Sequence, residues 1–240
     1  MADNLTNEAV EAASADSGVL FASAASWQIR ATAWELLSVS LAYPTEVLVA
    51  AVASGEWVEA AQEVAGALEL DVPEGAFDDV ATYEGSDENE LLHTLRTEAT
   101  HLFVGAPTPA VSPYEGVWRA GDDGVEALLF VNPHSMAVER FLKQCGLGHP
   151  EGTNEPLDHA GTECSLLEFL AGVEAGIMEL PAGKTAEDLP GGSVVAAYEQ
   201  FLADHAQTWL PRFAEKAASE AREPFYRAVA GLLGAMMKAA

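Results

Sequence analysis

An all-α fold is predicted by two features of this 240-residue chain. Apolar residues recur at a helical spacing almost everywhere beyond Trp27, and no apolar/polar alternation lasts long enough to argue for a sheet. The Gly and Pro residues fall between the apolar stripes, where they serve as punctuation. The expected architecture is a single bundle of roughly eight to ten helices.

The elements follow in order. Residues 1–26, rich in Ala, Ser, Asn and acid, read as a mobile N-terminal tail. Trp34, Leu37 and Leu41 share one face, and Pro44 stops that helix. Trp57, Val58, Ala61, Val64, Ala65 and Leu68 make a core-facing stripe. Ser86, followed by Asp87, Glu88 and Glu90, reads as a capped helix start matched to the dipole. Behind it run Leu91, Leu92, Leu95, Ala99, Leu102 and Phe103, with Gly105 placed to end the helix.

Residues 106–124 hold Pro107, Pro109 and Pro113 among small residues and read as a long ordered loop or a broken helix. The run 128–131 is a weak candidate strand. Asn132 and Pro133 read as N-cap and first residue of a helix carrying Val138, Phe141, Leu142 and Cys145, with Gly146 as its stop. After a second loop at 146–157, Leu166, Leu170, Val173 and Ile177 mark another stripe. A Gly- and Pro-containing loop spans 179–192. The last two long helices carry Val194, Val195, Tyr198, Phe201, Leu202 and His205, then Phe225, Tyr226, Val229, Leu232, Leu233, Met236 and Met237. A soft boundary in the second loop divides the chain into helical subdomains at 27–150 and 151–240.

Composition narrows the function. Eleven Lys and Arg stand against 38 Asp and Glu, a net charge of −27. Such a field repels nucleic-acid phosphates and anionic membrane surfaces and favours basic partners, although acidity also serves solubility or high salt. Two cysteines, Cys145 and Cys164, make no disulfide framework and suit a reducing compartment. The first basic residue is Arg30, so nothing resembles an export signal, and no apolar run is long enough to span a membrane. A cytoplasmic location follows as an expectation.

Phosphate-cradling glycine loops, G-x-S-x-G and H-E-x-x-H are all absent. Two clusters stand out instead. In Glu155-Pro156-Leu157-Asp158-His159, followed by Glu163 and Cys164, Asp158 sits where a helix N-cap is wanted. His159 and Glu163 are spaced i, i+4, on a face that continues into Leu166 and Leu170, so they form a buried structural pair or a ligand or hinge contact. A metal held by that pair would need two more ligands that no spacing nominates, and no nucleophile is tied to Asp158 and His159 for hydrolase chemistry. Tyr114, Glu115 and Trp118 form the second cluster. They either pin their loop to the core or wall a groove suited to a guanidinium.

Three stretches in this order, 98–105 (EATHLFVG), 113–118 (PYEGVW) and 155–159 (EPLDH) ahead of an apolar helix, resemble the TorD/DmsD/NarJ family of redox-enzyme maturation chaperones. The family shows an acid-aromatic-x-x-L-F-x-G helix end, P-Y-E-S-V-Y/W and E-P-x-D-H. Here Gly116 stands where Ser is common, Ala99 and Thr100 where an aromatic or Arg is frequent, and Cys164 where a plain helix former is usual.

The resemblance implies an all-helical fold with two subdomains hinged near E-P-x-D-H. It implies no catalytic role, cofactor or metal. It implies a client, the apo form of a molybdopterin oxidoreductase, bound with its twin-arginine signal peptide so that export waits on cofactor insertion. The alternative is a client without that signal, as for NarJ-type members. The resemblance assigns Tyr114, Glu115, Trp118, Glu155, Asp158, His159 and Glu163 to peptide binding or hinge positioning, in a monomer or a domain-exchanged homodimer.

Overall fold

Three indoles, Trp34, Trp57 and Trp209, anchor the interior with essentially no exposure. A buried indole N–H left unpaired forfeits about 1–3 kcal/mol, and each of these has an acceptor. Trp34 donates to the Tyr198 hydroxyl at 2.8 Å, Trp57 to Ser40 Oγ at 2.8 Å and Trp209 to Glu163 Oε2 at 3.0 Å. The computed structural model describes residues 24–106, 108–125, 132–149 and 156–240. The expectations placed on residues 1–23, on the 128–131 run and on Glu155 lie outside these.

The described residues hold eleven α-helices and no strand, as expected for an all-α chain. Helix α1 (Ala24–Leu41) buries Trp34, Leu37 and Leu41 on its core face. The chain turns by 115° before α2 (Glu46–Ser54), whose N-cap Thr45 accepts from Leu48 N–H at 3.3 Å. Gly55, at φ 85°, ends α2 and begins α3 (Glu56–Ala67), which buries Trp57, Val58, Ala61 and Val64. The short α4 (Asp78–Ala81) precedes α5 (Glu88–Ala99). The cap of α5 is Asp87 and not Ser86: its carboxylate accepts from both Asn89 and Glu90 N–H at 3.0 Å, a stronger charge-assisted cap than a hydroxyl. A π-helical turn, Thr100–Val104, carries α5 on to Gly105.

Of the segment read as a long ordered loop or a broken helix, the part beyond Tyr114 is helical. Once past Pro113, the chain forms α6 (Glu115–Asp123), because Pro restricts only itself and the residue before it. Helix α7 (Pro133–Gln144) begins as expected, with Asn132 Oδ1 accepting from His134 N–H at 2.8 Å. Helix α8 (Ala160–Glu174) stops short of Ile177, which is 53% exposed and not part of the buried stripe. After 3₁₀ turns at Ala186–Asp188 and Pro190–Gly192, α9 (Val194–Phe201) runs through a second π-helical turn, Leu202–Ala206, into α10 (Gln207–Glu220). Helix α11 (Pro224–Ala239) closes the chain. Sequence patterning missed α10, whose interior Pro211 argues against a helix; burial of Trp209, Leu210, Phe213, Ala214 and Ala217 outweighs that penalty.

One cluster of buried apolar residues draws on every α-helix except α6. Helix α8 lies along α1, flanked by α9, while α10 and α11 pair beside them and α6 rests on α7 and α10. The contact of α1 with α8 is close because residue 161 is Gly: a Cβ there would sit 3.3 Å from the Ser38 carbonyl oxygen. No single described helix is long and apolar enough to cross a membrane.

Candidate functional site

Two segments more than forty residues apart in sequence are stitched together at the starts of α6 and α8. Tyr114 and His159 form an isolated antiparallel bridge. Around it, Ala160 N–H donates to the Pro113 carbonyl at 2.8 Å and Glu115 N–H to the Asp158 carbonyl at 2.9 Å. The Tyr114 and His159 rings meet edge to face, 5.4 Å between centroids.

Asp158 does not cap its own helix. One residue too early, it reaches across, and its Oδ2 accepts from Gly116 N–H at 2.8 Å and from Ser135 Oγ at 2.6 Å. It therefore caps α6 from another part of the chain. The cap of α8 is His159, whose Nδ1 accepts from Gly161 N–H at 3.0 Å. That bond places the ring proton on Nε2, and burial pushes the imidazole down to about 4. Burial likewise raises the Asp158 carboxyl, against the lowering effect of the Ser135 and Gly116 bonds.

Gly116 sits at the crossing. A Cβ here would clash with Ser135 Oγ and lie 3.0 Å from Asp158 Oδ2. Its carbonyl accepts from Asn132 Nδ2 at 2.8 Å, tying α6 to the start of α7.

Beneath the bridge lies a layer of buried charge. Glu115, with no exposed surface, pairs with His205 Nδ1 at 2.9 Å and Arg119 at 3.1 Å, and Arg119 also donates to Thr208 Oγ1 at 2.8 Å. The π-helical turn before α10 positions His205, an instance of the tendency of such turns to occur at functional sites. Glu163, also fully buried, accepts from Trp209 through Oε2, while Oε1 meets no donor. Burial first, and the Glu115 carboxylate second, raise the Glu163 carboxyl well above its ordinary range.

His159 and Glu163 do not pair. His159 turns to its own helix start and Glu163 inward to Trp209, so the metal reading built on them has no geometry. No group of three or more His, Cys, Asp or Glu among the described residues is arranged to hold a metal.

Above the bridge opens a groove of about 720 Å³. Its walls come from the end of α1, the π-helical turn after α5, the loop before α6, the end of α7 and one face of α8. They include Tyr43, Phe103, Tyr114, His159, Glu168 and Phe169. Of the residues singled out in the sequence, Tyr114 and His159 line this groove. Glu115, Asp158 and Glu163 lie buried and brace it. Trp118 is not among the lining residues: it donates to the Ser112 carbonyl at 2.8 Å, sits beside Trp209 and carries Arg212 over its ring at 5.7 Å. Sequence reasoning missed the roles of Ser135, Arg119, Phe103 and Glu168. It placed His205 in an apolar stripe, where a lone His was the one available signal.

The fold and site together define a class: an all-helical protein with a mostly apolar groove over a buried carboxylate network. Within that class the chain belongs to the family described as nitrate reductase delta subunit, which matches residues 58–215. This agrees with the TorD/DmsD/NarJ resemblance read from the motifs. It is 27% identical over 152 residues to the chaperone protein TorD of Vibrio parahaemolyticus, covering 63% of this chain and 65% of that one. It is 24% identical over 149 residues to the chaperone protein TorD of Shewanella loihica, covering 62% and 61%. The chain thus spans somewhat under two thirds of the length of these relatives.

Proposed function

We propose that this protein is a non-catalytic maturation chaperone that holds the signal peptide and apo form of a redox enzyme in the cytoplasm. By the family resemblance the client is a molybdopterin oxidoreductase, and holding it delays export until the cofactor is in place. The observation that carries the reading is the groove. At about 720 Å³ it falls in the upper part of the roughly 300–1,000 Å³ typical of ligand sites. Its mostly apolar lining, which includes Tyr114 and a neutral His159, suits the apolar face of an amphipathic segment laid into it. The net charge of −27 attracts a basic flank to that segment. The Asp158 and His159 caps act as positioning groups that hold α6 and α8 together under the groove.

A second reading, assembly of a redox subunit lacking a twin-arginine signal, is favoured by the family's description as a nitrate reductase delta subunit. Capture of the tagged protein from anaerobically grown cells, with bound chains identified by mass spectrometry, separates the two. A molybdoenzyme precursor with its signal intact is the expected catch, and a mature subunit supports the second reading. Recovery of no redox enzyme while one is being made removes both.

A further inference from the structure

The groove is chemically polarised along α8. Gly161, Ser165, Glu168 and Phe169 follow the i, i+4, i+7, i+8 pattern and all line it. At the Gly161 end the walls are small or uncharged: Ser38 of α1 lies opposite, with Tyr114 and the neutral His159 beside it. Seven residues on, about 10 Å along the helix axis, stands Glu168. One turn back along α1 from Ser38 stands Glu35, whose charge bears on Glu168.

Glu168 is half-buried in the groove wall beside Phe169. No hydrogen-bond donor or cation among the described residues meets its carboxylate. Burial, and then the like charge of Glu35, push it up to about 7. A carboxylate left in that state is costly to keep ionised, and a cation arriving with a ligand would relieve the cost.

We infer that Glu168, backed by Glu35, is the contact that receives a guanidinium or ammonium group of the bound segment. That cation lies about 10 Å from the point where the segment's apolar residues pass Gly161. The inference rests on the groove being the peptide site, and it adds a specificity residue and a direction. The basic flank lies over the middle of α8, and the apolar run extends toward Tyr114 and His159. A segment that is apolar throughout fills the groove without neutralising Glu168; one with a single basic flank does both. The matching partner is therefore a peptide in which Arg or Lys precedes or follows an apolar run, read by a charge-assisted hydrogen bond.

The test uses two synthetic peptides, one with an apolar run flanked by arginine and its citrulline counterpart, titrated calorimetrically into the full chain and its E168Q, E35Q and S165W variants. Wild type should bind the arginine peptide about tenfold more tightly than the citrulline peptide. E168Q should bind both as wild type binds citrulline, E35Q should show an intermediate loss, and S165W, which fills the groove from an exposed wall position, should bind neither. If E168Q keeps the full discrimination while S165W loses binding, another acid reads the charge: this inference falls and the groove reading stands. If wild type binds neither peptide, the groove reading falls and takes the inference with it.

Discussion

Replacing Glu163 by Gln tests whether a proton is locked into the core. The side chain is fully buried, Oε2 is held by Trp209, Oε1 meets no donor and the Glu115 carboxylate lies within hydrogen-bonding reach. Two acceptors facing each other are satisfied only when one carries a proton. Burial and Glu115 raise the Glu163 carboxyl well above its ordinary 4.5, so the folded chain keeps a proton that the unfolded chain gives up above that pH. Folding therefore loses about 1.4 kcal/mol for every pH unit climbed between the unfolded and folded values. Gln copies the neutral acid: its carbonyl keeps the Trp209 bond and its amide donates to Glu115.

The assay is urea unfolding followed by tryptophan fluorescence, from roughly pH 5 to 7, on wild type and E163Q side by side. The two should be nearly equal at the acid end. The variant should then gain on wild type by up to about 1.4 kcal/mol per pH unit, the difference isolating this one group from the other acids. An ionised, well-paired Glu163 gives the reverse, a variant weaker by about 3 kcal/mol or more near neutrality. That outcome, or a difference independent of pH, refutes the protonated core.

Other expectations follow from the same geometry. Gly116→Ala should cost about 1–3 kcal/mol in urea titrations, because its Cβ meets Ser135 Oγ, and adding Ser135→Ala should recover part of that loss. Asp158→Ala should cost roughly 2–4 kcal/mol, since it removes the cap of α6 and leaves the Ser135 hydroxyl without its acceptor. His159 caps α8 only when neutral, and its folded value is depressed from 6.5 to about 4. Its contribution is therefore complete above about pH 6.5 and is lost as the pH falls toward 4, at about 1.4 kcal/mol per unit. His159→Asn, which keeps a capping group but does not titrate, should flatten that part of the pH profile in the same unfolding assay.

The helices were legible because burial writes itself into spacing. The stripe through Trp57, Val58, Ala61 and Val64 faces inward as its period demands, and Asn132–Pro133 starts α7 as the cap chemistry dictates. Asp158 and His159 stood out in the sequence as cap or contact candidates, but the caps they form were not legible, because a side chain that caps a distant helix leaves no trace in local spacing. The i, i+4 rule put His159 and Glu163 on one face, yet residue 159 is the cap, outside the helical geometry on which that rule depends. Helix α10 was hidden by Pro211, whose local penalty is outweighed only by packing that a sequence window cannot see. Glu168 carries no signal of its own among the 38 Asp and Glu of the chain, and only the wall around it sets it apart.

The cap that Asp158 places on α6 makes the two parts of the chain chemically incomplete alone. A polypeptide ending at residue 149 would carry Gly116 N–H and the Ser135 hydroxyl with no acceptor, while one beginning at residue 156 would carry an Asp158 with nothing to hold. Each half supplies what the other lacks, and the Tyr114–His159 bridge closes the seam. Cut between those positions, the protein should behave as a complementation pair whose reassociation rebuilds the groove, and the return of buried-tryptophan fluorescence reports directly on the joining of the halves.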